Sequence, residues 1–182
     1  MNDLCLFQQV FLIFELFVAI GCLLYVMSLT QSLWSGAPFV SSRMKDVDEA
    51  LKKVNPTKGS HFLELGCGEG KVVCKAVKEY SLHGRGIDIS PIWLIMAKVR
   101  AKLMGISKKV DFKAENILKT DMKWADTVYL YMMPRFLEKN AKEIFAKCKL
   151  GTIVISYVFD IPALKDKEVK EKRGERYYIY KI

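Results

Sequence analysis

At 182 residues the chain has room for one domain of ordinary size with a real core. Its 29 basic and 20 acidic residues leave a net charge of +9, but the first 42 residues hold no Lys or Arg and only two acids, Asp3 and Glu15. The rest therefore sets 29 basic residues against 18 acidic ones, a net +11, while the 51% apolar share owes its excess to the N-terminus. The lysines are scattered over predicted helix faces rather than clustered with aromatics, which argues against nucleic acid as a partner. Cysteines 5, 22, 67, 74 and 148 form no C-x-x-C pair and have no histidine at zinc spacing, so they read as reduced, buried thiols and no metal site is expected. With only His61 and His83 in the chain, imidazole catalysis has little to draw on.

From Leu4 to Leu29 the sequence is almost continuously apolar, and between Val10 and Met27 Glu15 is its only charged group. About 20 residues of helix cross a bilayer core, so residues 4–29 are expected to form a transmembrane anchor. A glutamate at the centre costs roughly 2.5–3.5 kcal/mol, which the surrounding Phe, Leu, Val and Ile side chains offset. A cleaved signal peptide wants a basic start, and Met1–Asn2–Asp3 has none. With every basic residue on the C-terminal side, the expected location is a single-pass membrane protein with its domain on the cytoplasmic face.

Residues 30–60 read as a linker and leading helix. Trp34–Ser35–Gly36–Ala37–Pro38–Phe39–Val40 is irregular. Met44, Val47, Leu51 and Val54 then recur at helical spacing until Asn55–Pro56. Residues 61–182 are expected to be the folded domain. His61 to Leu65 reads as a buried strand, and Gly66, Gly68 and Gly70 follow at alternate positions before a helix over Lys71–Tyr80. Such a turn needs positive φ and close backbone approach to a ligand, which glycine adopts at low cost. A dinucleotide fingerprint of the G-x-G-x-x-G type would need glycine at 71, where Lys71 stands.

A second strand over His83–Asp88 ends in an acid 24 residues beyond Glu64, and Ser90 and Pro91 stand as N-cap and N1 of the next helix. An acid at that strand end either accepts from both hydroxyls of a ribose or caps the helix with Ser90. Ile92, Ile95, Met96, Val99 and Leu103 form an apolar stripe closed by Gly105. Val110–Phe112, Thr127–Met132 and Thr152–Val158 are the next strands, with a helix opening at Pro134. Glu168–Lys172 and Arg176–Lys181 have the form of a hairpin around Arg173–Gly174. Strands alternating with helices predict a doubly wound α/β fold with a mostly parallel, Rossmann-like sheet, here preceded by the N-terminal transmembrane helix.

The acid-x-G-x-G-x-G loop of Glu64, Gly66, Cys67, Gly68 and Gly70 resembles motif I of the class I, seven-β-strand methyltransferases that use S-adenosyl-L-methionine (SAM). The resemblance implies SAM as cofactor, with that loop, Asp88 and Ile89 holding it and a residue after the third strand meeting adenine. Asn116 falls at that place with Glu115 beside it, and either one faces the base. Tyr129 and Tyr131, near the end of the fourth strand, lie where acceptor meets cofactor. Both side chains share one face of the strand, so they line the transfer site or belong to the core.

Three further stretches, Gly36–Val40, Met132–Glu138 and Asp160–Pro162, narrow the resemblance. The chain is similar to the small membrane-anchored lysine methyltransferases whose mitochondrial members modify the adenine nucleotide translocase and the ATP synthase c subunit. That similarity implies a protein lysine as acceptor, with Phe39 and Pro38 closing over the cofactor or forming the substrate entrance. Methyl transfer from a sulfonium needs nucleophile and methyl collinear at about 3–3.5 Å. A lysine, with an ordinary pKa of about 10.4, is helped to lose its proton by burial in an apolar channel, and Tyr129, Tyr131 or Asp160 would orient the amine. Two competing functions are a methyltransferase for a small-molecule or lipid acceptor and a non-catalytic membrane-tethered protein that binds SAM or serves as a scaffold.

Overall fold

The computed structural model describes residues 2–34, 40–169 and 176–182. Its chain falls into two compact units, 1–38 and 39–182. The first is helix α1, Asn2–Trp34. Phe7, Val10, Leu12, Ile13, Phe17 and Leu23 are all exposed on it, on every side of the helix rather than along one stripe. Among the described residues no helix is long and apolar enough to cross a membrane, so the transmembrane anchor expected over 4–29 is not supported.

The second unit is a six-stranded sheet with helices around it. Its elements are α2 (Met44–Val54), β1 (His61–Leu65), α3 (Lys71–Tyr80), β2 (His83–Asp88), α4 (Pro91–Leu103), β3 (Val110–Ala114), β4 (Thr127–Leu130), α5 (Pro134–Phe145), β5 (Ile153–Tyr157) and β6 (Tyr177–Lys181). The strand order is β3-β2-β1-β4-β5-β6. The first five strands are parallel and β6 runs antiparallel to β5. Among the described residues six strands stand where the resemblance implied seven. Of the first arm of the expected hairpin, Glu168 and Val169 are described, and they meet β6 through the bridge Glu168–Tyr180 and the bond from Val169 N–H to Ile179 O; Lys170–Lys172 lie outside the described residues. The turn of that hairpin lies outside the described residues.

Helix ends follow local chemistry. Asn55 takes φ 45° as it closes α2, and Gly105 takes φ 71° after α4. Ser90 stands at the N-cap of α4 without a side-chain capping bond; the Asp88 carboxylate accepts from the Ser90 N–H instead, at 2.9 Å. The core gathers Val73, Ala76 and Val77 of α3 with Leu51 of α2, Phe62 of β1 and Ala97 of α4, all buried. Of the cysteines expected to be buried, Cys67 and Cys74 are; Cys148 is half-buried and Cys22 is exposed.

Strand order reverses between β1 and β4. In such sheets the loops after those strands diverge to opposite faces and leave a crevice at the carboxyl edge, the usual place for a ligand.

Candidate active site

The carboxyl edge is built from one row of residues. The last paired positions are Ile87, Leu65, Leu130 and Ser156. One residue further on, Asp88, Gly66, Tyr131 and Tyr157 stand side by side, with Ala114 of β3 beyond Asp88 and Tyr177 of β6 beyond Tyr157. Asp88 and the glycine loop therefore form one half of the crevice and an aromatic wall forms the other.

Gly66, Gly68 and Gly70 take φ of 70°, 49° and 71°, so all three use the left-handed region. At Gly66 a Cβ would come within 2.7 Å of Met132 Cε, and at Gly70 within 2.9 Å of Ala97 Cβ. The loop is fastened from several sides. The Gly66 and Cys67 N–H groups donate to Ile87 O, and the Gly68 N–H donates to Asp88 Oδ2 at 2.8 Å. Arg100 on α4 donates from Nε to Glu69 O at 3.0 Å and from Nη2 to Glu69 Oε2 at 2.6 Å. Lys71 meets the other Glu69 oxygen at 2.6 Å. Burial pushes the Glu69 carboxyl up, but Lys71 and Arg100 outweigh it and hold the pKa below the ordinary value. The spacing of motif residues carried no sign of this clasp, because Arg100 lies 31 residues from Glu69 on another element.

Glu64 is buried, and its Oε2 accepts from the Val73 N–H at 2.8 Å. Burial pushes its pKa up to about 8, with the Asp88 charge adding and the Val73 N–H opposing. Burial also raises Asp88, against the backbone N–H groups of Ser90, Gly68 and Ile89. The Cys67 thiol is pushed well up by burial and stays protonated. Each Asp88 oxygen already accepts one backbone N–H, and a carboxylate has lone pairs for more. An open loop of glycine backbone beside a fixed carboxylate suits a nucleoside whose two ribose hydroxyls donate to Asp88.

Glu115 and Asn116 separate clearly. The Glu115 N–H donates to Asp88 O at 3.1 Å, which places Glu115 against the end of β2. Asn116 is exposed, and its Oδ1 accepts from the Leu118 N–H at 2.9 Å as the cap of the short 3-10 turn Ile117–Lys119.

On the other side, Tyr129 is 1% exposed, and its hydroxyl donates to Ser42 Oγ at 2.8 Å. Burial pushes its pKa well above that of free tyrosine. Tyr131 lies one residue past β4, half-buried, with its ring edge-on to Tyr157 at 4.9 Å and stacked near Phe159 at 6.2 Å. The Tyr157 hydroxyl donates to Asp46 Oδ2 at 2.8 Å, and Arg43 Nε donates to both oxygens of Asp46 at 3.0 Å. The segment leading into α2 and the first turn of α2 thus tie two of the three tyrosine hydroxyls, while the Tyr131 ring packs on Tyr157 and Phe159. Val158, between Tyr157 and Phe159, takes φ 69°, and the Phe159 N–H bonds Tyr157 O at 2.9 Å. That is a γ-turn in its rarer hand, a strained choice for a β-branched residue, and it turns Phe159 back toward Tyr131. Phe39 and Pro38, expected at the entrance, lie outside the described residues. Among the described residues no group of His, Cys, Asp and Glu is placed to hold a metal.

Residues 64–168 match the model of a family described as the ANTKMT methyltransferase domain. A protein-lysine N-methyltransferase of Saccharolobus islandicus is 23% identical over 133 residues, covering 72% of this chain and 83% of its own length. The adenine nucleotide translocase lysine N-methyltransferase of Mus musculus is 23% identical over 146 residues, covering 80% of this chain and 63% of its own length. Among solved structures, an RNA methyltransferase of Salinibacter ruber in complex with S-adenosyl-L-homocysteine superposes with a TM-score of 0.72 at 28% identity. That match covers 79% of this chain and 94% of the other.

Proposed function

Because the chain belongs to the ANTKMT methyltransferase-domain family and is a SAM-dependent methyltransferase, we propose that it methylates the side-chain amine of a protein lysine. The observation that carries this reading is the aromatic wall of Tyr131, Tyr157 and Phe159 beside Gly66. Lysine bears a hydrated cation. Aromatic faces attract such a cation and so guide it in, while the water they exclude disfavours the charged form and lowers the pKa of the amine.

SAM supplies a methyl group on a sulfonium, an electrophile with its leaving group built in. The chain's own residues hold, align and dry the site. Glu64 fixes the first turn of α3 through Val73, and the three glycines keep the loop open. Asp88 would take the ribose hydroxyls, with Ile89 and Glu115 nearest the base. The half-buried Tyr131 would orient the amine, while its deprotonation follows from desolvation rather than from a strong base. Tyr129 supports the wall from beneath through Ser42.

The same proposal puts the domain beside a membrane, on the cytoplasmic side. What supports this is α1, which exposes large apolar side chains on every side, with Gln8, Gln9 and Glu15 among them, and the confinement of all 29 basic residues to positions after 42. A nucleic-acid acceptor is the second reading, favoured by the name of the Salinibacter ruber relative and by the basic charge.

Labelled SAM incubated with the purified chain and host membranes, then digestion and mass spectrometry, tests the proposal. The expected result is methyl-lysine in a membrane or membrane-adjacent protein. Label found only in RNA or in the organic phase would sink it.

A further inference from the structure

We propose that the opposite edge of the sheet carries a second site, which binds the phosphate group of a small phosphomonoester. A cleft of about 360 Å³ opens there, lined by His61, His83, Arg85, Lys108, Lys109 and Trp124 together with Gly84, Val110 and Asp111. His61 and His83 begin β1 and β2, and Val110 begins β3, so the cleft lies at the amino edge of the parallel strands. Five residues of strand, about 17 Å, separate it from the glycine loop. Nothing in the methyltransferase site uses these side chains.

Three permanent cations face one acid on this wall, and the acid is already shared. Asp111 Oδ2 is 3.4 Å from Arg85 Nε and 4.0 Å from Lys113 Nζ, and its side chain is half exposed. Although that approach qualifies as an ion pair, the Arg85 Nε is buried and has no hydrogen-bond partner. The Arg85 side chain is 28% exposed, so the remaining part of its guanidinium is what an oxygen placed in the cleft would meet. The Arg85 guanidinium lies over the Trp124 ring, its Cζ 4.4 Å from the centroid. That contact restrains a fork whose donors suit a phosphate.

The two imidazoles complete the wall. Their centroids are 5.8 Å apart, and His61 stands edge-on to Trp124 at 5.5 Å. His61 Nδ1 lies 3.3 Å from Asp126 Oδ2, which leaves its Nε2 for a ligand. Asp126 does not compete for the cleft, because Lys149 meets its other oxygen at 2.6 Å. The cations converge on one concavity instead of running along a track. That arrangement matches a compact, doubly charged terminal phosphate better than a polynucleotide backbone, whose single charges are spread along the chain.

The protein's only two histidines both line this cleft, so their ring protons report on it directly. Inorganic phosphate is titrated into the full chain in phosphate-free, non-ionic detergent while the two imidazole resonances and the Trp124 indole N–H are followed. The expected result is saturable shifts of all three in the millimolar range or below. The Lys108→Ala/Lys109→Ala variant, altered only at solvent-facing side chains, should weaken binding by about tenfold, a loss of about 1.4 kcal/mol, and leave SAM affinity unchanged. Absence of saturation, shifts confined to the Gly66–Gly70 loop, or unchanged affinity in the double variant would each overturn the site. A short oligonucleotide that shifts the same resonances and is not displaced by phosphate would overturn the phosphomonoester assignment. None of these readouts depends on methyl transfer.

Discussion

Replacing Glu64 with Gln probes the crevice through its buried carboxyl group. Glu64 sits beneath the glycine loop with Oε2 on the Val73 N–H, and burial pushes its pKa from 4.5 up to about 8. In the unfolded chain the carboxyl ionises near 4.5, while in the folded chain it keeps its proton to about 8. The unfolded state therefore binds fewer protons across that window, and stability must fall as pH rises through it. At about 1.4 kcal/mol per unit, the window sets a ceiling of about 5 kcal/mol. Water entering around an ionised carboxylate relaxes the field, so we expect about 2–3 kcal/mol to be measured. Gln keeps an oxygen for Val73 and never ionises. Urea unfolding of the cofactor-free chain and of Glu64→Gln, at intervals from pH 5 to 9, gives the difference directly. The two should agree near pH 5, and the variant should be the more stable one above pH 8. Parallel curves, or a wild type that gains stability relative to the variant as pH rises, would refute the reasoning.

The remaining predictions concern the two walls of the crevice. Gly70→Ala forces an L side chain to φ 71° and sets its Cβ 2.9 Å from Ala97 Cβ. At about 2 kcal/mol it should lower Tm by about 4–8 °C in a scan, and isothermal titration should show SAM binding weakened at least tenfold. Tyr131→Phe should lower kcat with SAM affinity intact, measured with the labelled acceptor once identified; equal loss of SAM binding would show that the residue supports the cofactor instead. Tyr129→Phe removes only the bond to Ser42, so chemical denaturation should register about 1 kcal/mol and kcat should hardly move. Arg100→Gln releases one side of the Glu69 clasp, and a rise in the KM for SAM without loss of acceptor affinity is the expected signature.

Local chemistry made much of the architecture legible. The glycines at 66, 68 and 70 announce a turn because they are the residues that take positive φ cheaply, and all three take it. Asp88 was found by its place at a strand end, and Lys71 separated the loop from a dinucleotide fingerprint. The sequence pattern was weaker wherever the outcome depends on residues far apart in the chain. Tyr129 and Tyr131 are indistinguishable by alternation, yet Ser42 takes the hydroxyl of one, and the other leaves the ladder to meet Tyr157 and Phe159. Asn116 has the position expected of an adenine contact, but its side chain caps the following 3-10 turn while Glu115 lies against Asp88.

By itself, the order of apolar runs, glycines and acids determined the parallel sheet, the glycine loop and the family resemblance, since each depends on backbone preferences within a few residues. Tertiary structure alone decided which groups share the crevice. The Arg100 clasp, the tie from Asp46 to Tyr157 and the cationic cleft at the far edge join residues 31, 111 and more than 20 positions apart. No local preference encodes such pairings; they exist because the sheet brings its strand ends into register.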